Sequence, residues 1–139
     1  HAQDQQDEQS ETITNQTCVA NEKNAAYQRY NSLAAQMQNL DPNDPDHTEI
    51  INNYNDAWQN IDDAGVLIND ASNKIVEGND HLSDAQTEYS NQDYPAAHTA
   101  ASDAITDYND ADNMQTGASN HVATANEKLD AVEEALNAL

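Results

Sequence analysis

The chain has 139 residues, 37% of them hydrophobic and none of them phenylalanine, so its core volume must come from Ile, Leu, Val, Tyr and Ala in elements that approach closely. Against 26 acidic residues stand 4 basic ones, Lys23, Arg29, Lys74 and Lys128, for a formal net charge of -22. Four scattered cations cannot neutralise a phosphate track, which excludes nucleic-acid binding through a basic patch and disfavours an anionic membrane surface.

Such a charge opposes compaction in dilute buffer but keeps a protein soluble where salt screens it, since the Debye length falls to about 3 Å at 1 M. A salt-adapted protein is the simplest reading, set against an acidic and partly disordered chain. The regular hydrophobic pattern described below favours the folded alternative. No hydrophobic stretch is long enough to insert in a membrane. The sequence starts at His1 rather than Met, as a trimmed precursor or excised domain would, and an exported protein is therefore expected. Asn15-Gln16-Thr17 would then be a glycan acceptor at Asn15. Cys18 is the single cysteine, so the chain has no internal disulfide and no thiolate cluster; it is read as a buried small residue or as one half of an intermolecular bridge.

Residues 1–10 are polar and rich in Gln and Asp, and are read as a flexible arm. Over 11–40 the apolar residues Val19, Ala26, Tyr30, Leu33, Met37 and Leu40 recur at helical spacing and mark one face of a first helix. The segment DPNDPD, 41–46, is a loop in which Asp44 supplies an N-cap and Pro45 the first helical position. A second helix is expected over 45–90. Within it IVEGNDHL, 75–82, carries the local signature of a stop and a restart. Yet Ile50, Tyr54, Ala57, Ile61, Ala64, Ile68, Ala71, Ile75, Gly78, Leu82, Ala85 and Tyr89 step by four and three without a slip. A fresh helix after Gly78 would have no reason to keep that phase, so one helix passes through, with Gly78 at a core position that wants a small side chain.

SNQD, 90–93, interrupts the pattern, and Pro95 fits the first turn of a third helix over 94–139. Its stripe runs Tyr94, Ala97, Ala101, Ala104, Tyr108, Ala111, Gln115, Ala118, Val122, Ala125, Leu129, Val132, Leu136 and Leu139. Folding the two helices back at the turn brings Ala71 to Ala111, Ile61 to Val122 and Tyr54 to Leu129, with small residues opposed in alternate layers. This resembles the packing class of Ala-rich, closely spaced antiparallel coiled coils. Tyr94, Ala97 and Ala104 around the turn also resemble one degenerate tetratricopeptide unit, but no second repeat follows in phase.

The expected fold is all-α: an elongated antiparallel three-helix bundle with a long Ala-rich coiled-coil-like hairpin, 11–139 forming a single helical domain. Pairing Leu33 with Tyr54 and Val19 with Ile68 makes the first helix's cover end near Ile75, so the hairpin tip, about 79–104, is expected to project as two helices.

For function, the chain has no Gly-rich phosphate loop, nucleophile elbow or HExxH motif, and no catalytic, cofactor or metal residue is assigned. His47, His81, His98 and His121 fall at separate places and are read as exposed polar residues, while the DPNDPD loop lacks the spaced ligands of an EF-hand. Tyr30, Tyr54 and Tyr108 are read as core. Tyr89 and Tyr94 at the tip, with Leu82, Tyr27 and Trp58, are the candidate self-association residues. The functional expectation is a non-enzymatic, secreted or cell-surface structural subunit that assembles with its own copies into a filament, lattice or appendage. The alternative is an extracellular binding, sensor or stalk module of a cell-surface or virion protein.

Overall fold

A computed structural model describes residues 2–139, and over these the chain is 91% helix with no strands. Three helices pack against one another as a bundle: α1 (Ala2–Met37), α2 (Pro45–Ser90) and α3 (Tyr94–Asn137). Both connections are built from local polar chemistry. Asp44 Oδ1 accepts from the Asp46 N–H at 2.9 Å and the Asp44 carbonyl from the His47 N–H at 3.0 Å, so Asp44 caps α2 with Pro45 at the first position. In the second turn Gln92 takes a left-handed φ of 64°; the Asp93 N–H reaches the Glu88 carbonyl at 2.9 Å and the Gln92 N–H the Tyr89 carbonyl at 3.0 Å. This is a Schellman termination with Gln in the place glycine usually takes. Asp93 then caps α3, its Oδ1 accepting from the Ala96 N–H at 3.2 Å.

Helix α2 passes through IVEGNDHL unbroken, as its phase predicts. The reason for Gly78 is concrete: a Cβ there would lie 2.6 Å from Tyr108 Cε1 and 2.9 Å from Cδ1. The ring of Tyr108, fully buried, rests on the glycine backbone, and its hydroxyl donates to Asn79 Oδ1 at 2.7 Å. Gly78 and Asn79 thus serve one tyrosine, the first with space and the second with an acceptor.

Two compact units make up the chain. The first holds 2–19 of α1 with Leu67–Thr116. Its apolar core is thin: Ala71, Ile75 and Ala111 with Met114 beside them, and Leu82, Ala104 and Tyr108. The second holds Ala20–Val66 and Gly117–Leu139. Here Leu33, Ile50, Tyr54, Ala57, Leu129 and Val132 form a larger cluster, flanked by Tyr30, Met37, Leu40, Ala135 and Leu136. Tyr30 stacks on Tyr54 at 4.1 Å, and the Tyr54 hydroxyl donates to the Tyr30 carbonyl at 2.9 Å. Arg29 ties α1 to α3 in this unit, donating to Asp130, to Glu133 Oε1 at 3.0 Å and to the Asn126 carbonyl at 3.3 Å.

The expected arm at 1–10 is corrected: apart from His1, which lies outside the described residues, it is helical and continuous with α1. Apolar residues were the wrong guide to it. Along α1 a run of inward or half-buried positions, Gln5, Gln9, Thr12, Gln16, Val19, Lys23, Ala26, Tyr30, Leu33 and Met37, steps by four and three, with Glu8, Ala20, Arg29 and Ala34 half-buried beside it. The coiled-coil phase extends back to Gln5, but its first four members are polar. The projecting two-helix tip is corrected with it, because Asp4 and Gln5 line a shallow depression with His98, Ala101, Ser102 and Ile105.

Candidate association surface

The tyrosines at the α2–α3 turn owe their position to the terminations just described. Tyr89 lies in the last turn of α2 and Tyr94 is the first residue of α3, so the Schellman turn and the Asp93 cap set one beside the other. Their rings meet edge to face, centroids 5.4 Å apart at 63°, with Tyr89 66% and Tyr94 55% exposed. Two aromatic rings held in fixed mutual geometry and open to solvent suit contact with another surface at small conformational cost.

The other candidates separate. Leu82 is buried against Ala104 and Tyr108, so it is core and offers nothing outward, a correction that follows from its place on the α2 stripe. Tyr27 and Trp58 belong to the second unit, 45% and 44% exposed, and Lys23 Nζ stands 5.8 Å from the Tyr27 ring centroid. The candidates are therefore divided between the units. Asn15 is exposed in the body of α1, and the Thr17 hydroxyl of its triplet donates to the Ile13 carbonyl at 3.4 Å. Cys18 is exposed, which corrects the reading of a buried thiol.

The polar side chains between helices form a second constellation, one that reading for apolar period missed. In the first unit Thr12, fully buried, donates from Oγ1 to Asp112 Oδ1 at 2.8 Å. Gln115 Nε2 donates to the Thr12 carbonyl at 2.9 Å and to Gln16 Oε1 at 2.8 Å, while Gln16 Nε2 donates to the Ile68 carbonyl at 2.9 Å. One turn toward the N-terminus, Gln9 Nε2 donates at 2.7 Å to the same Asn79 Oδ1 that receives the Tyr108 hydroxyl. Gln115 was visible in the sequence as the one amide on the α3 stripe. Its partners were not, because Gln9, Thr12 and Gln16 carry no apolar signal.

The histidines make separate local bonds. His81 Nδ1 lies 2.6 Å from Asp107 Oδ2, and that hydrogen bond raises the imidazole above its ordinary value of 6.5 against a smaller opposing effect of burial. His121 Nδ1 meets Asn60 Oδ1 at 2.9 Å, and His47 Nδ1 accepts the Asp41 N–H at 3.0 Å. Among the described residues no group of three His, Cys, Asp or Glu side chains could hold a metal ion, and no helix is long and apolar enough to cross a membrane. No protein-family model, curated protein or solved structure matches the chain.

Proposed function

We propose that the chain is a non-enzymatic, salt-adapted structural subunit, exported to the cell surface or beyond, that assembles with its own copies into a filament, lattice or appendage. The observation that carries this reading is the exposed, edge-to-face Tyr89–Tyr94 pair at the α2–α3 turn. The charge supports the salt requirement: subunits of formal net charge -22 repel one another at long range until salt screens them.

The test is sedimentation velocity from about 0.1 M to about 3 M salt on the wild type and on Tyr89→Ser/Tyr94→Ser, with circular dichroism on the same samples. Association that grows with salt in the wild type and is lost in the double variant, at equal helicity, is the expected result. A helical monomer at every salt concentration would turn the assignment to the alternative, an extracellular binding or stalk module. Undiminished assembly of the double variant would remove the turn from the interface.

A further inference from the structure

We propose that residues 2–19 of α1 are a pH-gated strap on the α2–α3 hairpin of their own unit, closed in acid and released as the pH rises. The first observation is how little apolar surface holds this segment. Its inward positions are Gln5, Glu8, Gln9, Thr12 and Gln16, and of its apolar side chains Val19 is buried while Ile13 is 44% exposed. A helix half held by amide and hydroxyl hydrogen bonds lacks the area burial that makes most docked helices permanent, since each exchanged hydrogen bond nets only about 1 kcal/mol. Such segments belong to the low-stability end of local opening.

The second observation is a carboxyl pair placed across the seam. Glu8 on α1 is half-buried one turn before Thr12, whose hydroxyl donates to Asp112 on α3 at 2.8 Å, so the two carboxyl groups face each other across the seam. Two carboxyl groups can share a hydrogen bond only while one of them keeps its proton. That bond, then burial, then repulsion by Asp112 and by Glu11 on its own helix raise Glu8 from 4.5 to about 7. Among the described residues no cation offsets them. From α2 this layer receives the uncharged Asn79; Lys74, the only Lys or Arg of the unit, is engaged by Glu77 at 3.1 Å, and His81 by Asp107.

The sign follows. Closing the strap binds a proton more tightly, so the closed state is favoured most below 4.5, loses ground as pH rises through about 7, and above that holds two adjacent charges. The His81–Asp107 pair loses stability in the same direction but joins α2 to α3, so a variant at Glu8 separates the two effects.

The experiment is amide hydrogen exchange of the whole chain at pH 5.5 and 8.5, corrected for intrinsic exchange, at the lowest salt that keeps 50–61 protected. In the wild type, protection over 5–16 is expected to fall by about tenfold or more relative to 50–61 at the higher pH, and in Glu8→Gln to stay high at both. Asp112→Asn, which keeps an acceptor for Thr12, is the second variant and is expected to behave likewise, so it decides the matter if Glu8→Gln fails to close. Protection over 5–16 that ignores pH in the wild type, is absent at both pH values, or falls equally in the variants would overturn the proposal.

Discussion

Gly65 and Gly78 stand in the same helix, yet their surroundings demand opposite results from the same substitution. A Cβ at Gly65 would meet Lys23 Cε at 3.7 Å, an ordinary contact, so Gly65→Ala should raise stability by about 0.5–1 kcal/mol through the backbone freedom it removes. At Gly78 the added carbon would fall on the Tyr108 ring, and Gly78→Ala should cost about 1–3 kcal/mol. Thermal denaturation of the two variants checks both signs. His81 offers a titration at the same scale. Its hydrogen bond to Asp107 raises the imidazole, so this pair contributes stability in full below the ordinary value of 6.5, and that contribution is lost as pH rises through the elevated one. Two-dimensional NMR should show His81 titrating above 6.5 in the wild type and lower in Asp107→Asn.

Among the elements, α2 and α3 were legible because their seams are written in Ile, Ala, Leu and Tyr at unbroken spacing, and because the Asp-Pro and Asp-x-Pro punctuation marks both starts. The start of α1 was not legible. Gln5, Gln9, Thr12 and Gln16 keep the period but carry no hydrophobic signal, so a reading that counts apolar residues ends the helix where the alphabet of its seam changes. Leu82 failed as a surface candidate for a related reason: its membership of the α2 stripe already placed it in the core. The termination of α2 carries a prediction of its own. Gln92 holds φ 64° without the freedom of glycine, and Gln92→Gly should stabilise the chain by roughly 1 kcal/mol, measured by urea denaturation.

For the whole molecule the charge is uneven as well as large. Of the four cations, Lys23, Arg29 and Lys128 lie in the second unit and Lys74 alone in the first, which also has the thinner apolar core. Salt should therefore stabilise residues 67–116 more than 20–66, and hydrogen exchange at about 0.1 M and about 2 M salt would show it as a larger gain in protection. Composition made the need for screening legible at once. The uneven placement of the few cations needed the helix pairing, because it depends on which stretches of three separate helices share a neighbourhood. Trp58, half-exposed in the second unit, is the chain's one tryptophan, whereas Tyr89, Tyr94 and Tyr108 all lie in the first. Indole emission therefore watches one unit and is blind to the other, while far-ultraviolet ellipticity sums over both. Denaturation curves that coincide by the two signals would show the molecule melting as one, and curves that part would time the two units separately with no label added.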